Sequence, residues 1–207
     1  EQQSRAKSDL LAKVSHELRT PLTGIMATTE LLSIEHSDHA VRRRTDTILS
    51  LSESLLSEIN DLLDEAKYSS SGIHLSPTPI DLRQRVESLS ETFMTMARRK
   101  NLTFAASLDP ALASTVNVDG HHLDRILLNL VGNAIKFTDR GSVAMSVEIA
   151  AQTPESYRLR FAVTDTGIGI PEEFHRKLFQ PFSQVEQGSS RRYGGTGLGL
   201  TLSRKIV

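Results

Sequence analysis

The sequence predicts an α+β protein in two parts: a helical hairpin that pairs with a second copy into a dimeric four-helix bundle, then an α/β sandwich with a mixed sheet and helices on one face. Three observations predict it. Apolar residues recur at helical spacing from Ser8 to Ala66 with one short break. A Ser, Gly and Pro-rich run, SSSGIHLSPTP, then interrupts the pattern after Tyr68. Beyond it, helical spacing and strict alternation take turns.

Composition narrows the classes. The 207 residues are 38% hydrophobic and 24% charged, enough for one large domain or two small ones. A formal net charge of -1 supplies no general pull toward nucleic acid or anionic lipid, so neither is expected as a partner. Cysteine is absent, which excludes disulfides and thiolate metal sites and fits a reducing compartment. No stretch approaches the ~18 apolar residues of a membrane span, and EQQSRAKSDL is no signal peptide. Any membrane anchor is therefore expected outside this sequence.

The first helix, from Ser8 to about Leu32, places Leu11, Val14, Leu18, Leu22, Ile25 and Leu32 in steps of three, four or seven. Pro21 lies inside it, at a cost of roughly 3 kcal/mol in a helix interior, which calls for a local justification. The second helix runs from Val41 through Thr45, Ile48, Ser52, Leu55, Ile59, Leu62 and Ala66, with a flanking row at Leu49, Leu56 and Leu63. A stripe that wide buries against more than one neighbour. The short connection SIEHSDHA folds the two helices into an antiparallel hairpin, and closing two hairpins together covers the second row. A homodimer is expected. The organisation is residues 1–70 as hairpin, 71–80 as linker and 81–207 as the α/β domain, C-terminally incomplete.

In that domain Asp81 N-caps a helix running to about Lys100. LTFAASL and STVNVD read as short strands, Asp119 to Phe137 as a helix, and GSVAMSVEIA and YRLRFAVTD as alternating strands of a mostly antiparallel sheet.

The chemistry concentrates there. In NLVGNAIKFTDRG, Asn129, Asn133 and Lys136 stand at i, i+4 and i+7, two amides and an ammonium along one helical face. Amide oxygens can ligate Mg²⁺ and an ammonium can approach phosphate; a solvated polar face is the plainer alternative for this segment alone. In VTDTGIGIP, Asp165 ends an apolar strand, and Gly167 and Gly169 let backbone approach a flat ligand whose exocyclic amine the carboxylate can accept from. RRYGGTGLGLTLSRKI places Gly194, Gly195, Gly197 and Gly199, with Thr196 and Leu198 between them, ahead of and into an amphipathic helix, a phosphate cradle of backbone N–H groups that does not match GxxxxGK.

Together these segments resemble the ATP-binding domain of sensor histidine kinases, which shares the Bergerat fold with gyrase-type ATPases. NLVGNAIKFT is similar to the family's N-box, DTGIGI to its first glycine box, FQPFSQ to its F-box and GGTGLGL to its second glycine box. SHELRTPL is similar to the H-box, which the other Bergerat relatives lack. The resemblance covers essentially the whole chain and is closest to hybrid kinases. The family continues with further strands past the helix in which this sequence ends at Val207.

The resemblance implies an ATP- and Mg²⁺-dependent kinase that phosphorylates His16, with Glu17 taking the imidazole proton and Thr20 orienting water to dephosphorylate a receiver domain. It implies that Asn129 and Asn133 hold Mg²⁺, and that Lys136 with Arg191 or Arg192 of a lid offsets phosphate charge. Pro21 removes the N–H that would bond the Glu17 carbonyl, loosening the helix beside the acceptor. Expected partners are a second copy, a response-regulator receiver and another histidine kinase; the expected location is the cytoplasm, as the inner part of a membrane-bound sensor. His36, His39, His74, His121, His122 and His175 are read as structural or solvated. A weakly catalytic module that binds another kinase, and a gyrase-type ATPase, are the alternatives.

Overall fold

The computed structural model describes residues 2–35, 38–113, 115–153, 155–180, 183 and 197–207. They divide into two compact units: a helical unit through Ile73, grouped with residues 197–202, and an α/β unit from His74 to Phe179 with Ser203–Val207. Among the described residues no helix is long and apolar enough to cross a membrane.

Two long helices, α1 (Gln2–Glu35) and α2 (His39–Ser71), make the helical unit. The carboxylate of Asp38 accepts the N–H of Ala40 at 2.7 Å, and Gly72, at φ 74°, returns its N–H to the Tyr68 carbonyl, so both ends of α2 are capped. Ser15, Leu22 and Thr29 of α1 and Thr45, Ser52 and Ile59 of α2 are buried, each series stepping by seven. Thr29 and Thr45 donate their hydroxyls to the carbonyls of Ile25 and Arg42 at 2.7 and 2.8 Å, which removes the penalty of burying them. Arg19 reaches from α1 to the side-chain oxygen of Asn60 on α2 at 2.7 Å.

A second pair of series faces outward. Leu18, Ile25 and Leu32, and Ile48, Leu55 and Leu62, are each between 40% and 49% exposed. The sequence merges these with the buried series into one stripe, because residues three and four apart alternate across a narrow seam. The row at Leu49, Leu56 and Leu63 is half-buried, so the outer row is the one at Ile48. The helix continues through Pro21.

The α/β unit contains β1 (Thr78–Asp81), α3 (Leu82–Arg99), β2 (Thr103–Leu108), β3 (Thr115–Val118), α4 (Gly120–Phe137), β4 (Ser142–Gln152), β5 (Tyr157–Asp165) and α5 (Glu172–His175), with α6 (Gly199–Ile206) following. β2 pairs parallel with β4, and β4 antiparallel with β5, so the main sheet is mixed. The parallel pair departs from the mostly antiparallel expectation, and a parallel pair needs a long crossover, which β3 and α4 supply. β3 does not join that sheet; it pairs antiparallel with β1, a strand within the run that reads as linker. The β-competent part of that run is short and polar-flanked, and only its partner makes it a strand.

One face of the sheet is covered. Val143, Met145 and Val147 of β4 are buried with Leu82, Val86, Phe93 and Ala97 of α3 and Leu123, Leu127, Val131, Ala134 and Ile135 of α4. Alternate residues Ala144 and Glu148 stay exposed, the period-two signature of a half-covered strand. Burying each large apolar side chain contributes about 1.5–3 kcal/mol. Arg85 of α3 donates through Nε and Nη2 to both oxygens of Asp124 on α4, each at 2.7 Å, a bidentate clasp that also raises the Arg85 pKa.

Asp119 fixes where α4 begins. Its Oδ1 accepts the N–H of His122 at 3.0 Å, and its Oδ2 accepts the N–H of Ser76 at 2.8 Å from the segment ahead of β1. His122 Nδ1 lies 2.9 Å from Oδ2. The Ser76 and His122 N–H groups favour the carboxylate and hold the Asp119 pKa well below the usual range. A depressed carboxyl pKa gives stability that is present above the unfolded value of about 3.9 and is lost as pH falls through the folded one. Asp119→Asn is expected to lower the melting temperature at pH 7 and to flatten its decline below about pH 4; melting curves across pH check this, and an unchanged acid limb would refute it.

Candidate functional site

The polar face of α4 comes first. Asn133 Nδ2 donates to Asn129 Oδ1 at 3.2 Å, and Asn129 Nδ2 donates to the hydroxyl of Ser203 on α6 at 2.9 Å. One helical turn therefore brings the two amides together as the spacing predicts. Both are half-buried and fixed by neighbours rather than free in solvent. Lys136 places its ammonium 5.4 Å from the ring centroid of Phe137. No cluster of three His, Asp or Glu among the described residues could hold a metal, so a cation here would rely on amide oxygens.

The turn after β5 packs on the end of the same helix. Asp165 Oδ1 accepts the N–H of Gly167 at 2.8 Å, closing a small loop on itself. A Cβ at Gly167 would stand 2.5 Å from the Phe137 carbonyl oxygen and 2.9 Å from the Thr138 hydroxyl oxygen. Only glycine permits that approach. The N–H of Ile168 donates to the Phe137 carbonyl at 3.3 Å. Gly169 lies at φ 68° with open space around it, the left-handed region that favours glycine. The structure thus brings Asp165, Gly167 and Gly169 to the C-terminal end of the helix carrying Asn129, Asn133 and Lys136.

Gly197, at φ 70°, and buried Leu198 lead into α6, which begins at Gly199. Arg191, Arg192, Gly194, Gly195 and Thr196 lie outside the described residues, as does His36. Phe179 is partly exposed and carries the guanidinium of Arg204 5.3 Å from its ring centroid.

In α1, Glu17, Thr20 and Pro21 are exposed on the helix that carries His16. The imidazole of His16 itself is outside the described residues. Of the other described histidines, His175 Nε2 meets the Ile170 carbonyl at 3.0 Å and His122 Nδ1 meets Asp119, while His39, His74 and His121 are exposed. An open cavity of about 420 Å³ at the N-terminal end of α4 is lined by His74, Arg85, Asp119, His121 and His122. The His121 and His122 rings sit 5.8 Å apart at 82°, diverging as neighbours on a helix must.

Two groups escape sequence reading. Ser203 anchors Asn129 from 74 positions away, and Lys100 reaches three carbonyls at the end of α4 from 35 to 38 positions away. The only sequence signal for the lysine is its place at the end of a helix; nothing local names its acceptors.

These two units define a phosphoacceptor hairpin followed by a nucleotide-binding α/β domain. Residues 6–71 match the His Kinase A (phospho-acceptor) domain, and residues 118–207 match the histidine kinase-, DNA gyrase B- and HSP90-like ATPase domain. The chain belongs to the sensor histidine kinases of two-component systems. It is 37% identical over 205 residues to the sensory/regulatory protein RpfC of Xanthomonas campestris, covering 99% of this chain and 28% of that protein. It is 37% identical over 204 residues to the signal transduction histidine-protein kinase BarA of Escherichia coli, covering 99% of this chain and 22% of BarA. Full-length ShkA in complex with AMPPNP superposes with a TM-score of 0.71 at 30% identity, over 96% of this chain and 40% of ShkA. Histidine kinase ThkA in complex with the response regulator TrrA gives 0.60 at 25% identity, over 100% of this chain and 57% of that one. The chain thus spans under a third of the length of these curated relatives.

Replacing Gly167 with Ala is expected to weaken nucleotide binding by at least roughly tenfold, since the added methyl forces the turn off the Phe137 carbonyl. Titration with a fluorescent ATP analogue checks this, and an affinity equal to that of the parent would contradict the packing argument.

Proposed function

We propose that the chain transfers the γ-phosphoryl group of ATP to His16, passes it to an aspartate of a receiver domain, and removes phosphate from that receiver. The observation that carries this reading is the docking of the Asp165–Gly169 turn on the helix that bears the Asn129–Asn133 amide pair. Hairpin and nucleotide domain are taken as 1–70 and 81–207, joined through 71–80.

Neutral imidazole is a competent nucleophile near pH 7, its ordinary pKa being about 6.5. One ring nitrogen of His16 attacks the γ-phosphorus as the bond to ADP breaks, and Glu17 takes the proton from the other nitrogen. Asp165 accepts the exocyclic amine of adenine with the oxygen not used by Gly167. The donors at Asn129 and Asn133 are uncharged oxygens, which fit Mg²⁺ bound jointly with phosphates. Bound there, Mg²⁺ supplies neutralisation of phosphate charge. Lys136 and an arginine of the lid, Arg191 or Arg192, add to it, and the N–H groups of Gly195, Thr196, Gly197, Leu198 and Gly199 cradle the phosphates.

Support for a homodimer comes from the outward series at Leu18, Ile25 and Leu32 and at Ile48, Leu55 and Leu62, whose seven-residue step suits a four-helix bundle. The same face would serve the alternative reading, a weakly catalytic module pairing with another histidine kinase. ATP as substrate and the absence of cysteine favour the cytoplasm, as the inner part of a membrane-bound sensor.

Incubation with γ-labelled ATP and Mg²⁺ is expected to label the protein in an acid-labile, base-stable form that His16→Ala abolishes, with the parent sedimenting at twice the 22.9 kDa chain mass. ATP binding without label would favour the module, and phosphate release indifferent to His16 would favour a gyrase-type ATPase.

Thr20 stands one turn beyond His16, where its hydroxyl can orient water toward the receiver. Pro21 loosens the turn between them, so the helix bends between the kinase and phosphatase poses. Thr20→Ala is expected to slow loss of label from a phosphorylated receiver while His16 labelling continues. Equal loss from both proteins would remove Thr20 from the reaction.

A further inference from the structure

The C-terminal end of α4 has a complete set of donors, and most of it comes from one side chain. A helix leaves its last four carbonyls without intrahelical partners; with Thr138 as C-cap these belong to Ile135, Lys136, Phe137 and Thr138. Lys100 Nζ donates to the carbonyls of Ile135 at 3.0 Å, Lys136 at 2.8 Å and Thr138 at 3.1 Å. The fourth, of Phe137, takes the N–H of Ile168. A single ammonium matches three acceptors with its three protons and sets a positive charge against the negative end of the helix dipole.

Lys100 is itself held by backbone. It is the C-cap of α3; Asn101 follows at φ 57° and donates to the Arg98 carbonyl at 3.0 Å, and Leu102 donates to the Ala97 carbonyl at 2.9 Å. That pair of reversed bonds closes the helix, and buried Leu102 packs beside it. The stem of Lys100 thus starts from a fixed point on α3 and ends at a fixed point on α4.

From this we infer that Lys100 is a positioning residue for the nucleotide site. It fixes the peptide planes from Ile135 to Thr138, and the carbonyl left over, that of Phe137, is the one on which the Gly167–Ile168 turn rests. Without the ammonium, three carbonyls must find water or rotate, and Phe137 turns with them. The Asp165 carboxylate, tied to Gly167, then loses its set place at the end of α4. The inference rests on the reading of these residues as the ATP site.

Lys100→Met tests it, since it keeps the stem and leaves the backbone closure of α3 intact. Three quantities are measured on the full chain: amide exchange of Ile168 without nucleotide, exchange of His122 at the other end of α4, and the dissociation constant for Mg²⁺-ATP by calorimetry. Loss of charge-assisted bonds to several carbonyls predicts exchange at Ile168 faster by roughly tenfold, ATP binding weaker by roughly tenfold, and His122 unchanged. Lys100→Arg, which restores a donor cation, moves both affected quantities back toward the parent. Ile168 exchange or ATP affinity within about twofold of the parent would overturn the inference, as would an equal loss of protection at His122, the mark of general destabilisation. If Lys100→Met does not fold, Lys100→Gln, with two N–H donors and no charge, is read the same way, and an unshifted Ile168 overturns the inference. A parent that binds no ATP refutes the nucleotide reading instead, which separates the two failures.

Discussion

The carbonyl end of α4 is the constraint on which the nucleotide domain depends. That helix carries the amide pair on one turn and receives the glycine turn at its end, so its final residues must be both rigid and approachable. Rigidity comes from satisfied carbonyls and from Thr138, fully buried, whose hydroxyl donates to the Ala134 carbonyl at 2.7 Å. Approach comes from Gly167, which has no side chain to hold the turn away. Neither feature would be of use without the other, because a frayed end offers no fixed surface and a side chain at Gly167 cannot reach one.

The opposite end of α4 is fixed by different means. Asp119 caps it and also holds the Ser76 backbone, while Arg85 and Asp124 tie the first turns to α3. The helix is thus clamped at both ends by charged groups whose partners are backbone or bidentate, the geometries in which charge contributes most. Its apolar stripe, Leu123, Leu127, Val131, Ala134 and Ile135, seats it on β4 between the clamps. The polar face then has one orientation to present.

The helical unit works on the contrary plan. Among its described residues the buried positions hold four serines and threonines, Ser15, Thr29, Thr45 and Ser52, beside Leu22 and Ile59, while Leu18, Ile25, Ile48 and Leu55 face out. Small buried side chains let two helices lie close but contribute modest burial, and the outward leucines and isoleucines leave apolar surface in water. A second hairpin would recover that area.

The sequence alone determined the hairpin, most helices and strands of the α/β domain and the shared helical face of Asn129, Asn133 and Lys136, because periodicity, caps and spacing are local properties of the chain. Gly167 and Gly169 were legible for the same reason, since a glycine after a strand-ending aspartate points to a turn. Which of the two seven-residue series in α1 and α2 turns inward was not legible, because both satisfy the same helical period. Tertiary structure also decided the pairing of β1 with β3, the parallel register of β2 with β4, and the contacts of Lys100 and Ser203 with α4. Those depend on segments tens of residues apart meeting in space, and a side chain's partner across such a distance is set by packing, which no local pattern encodes.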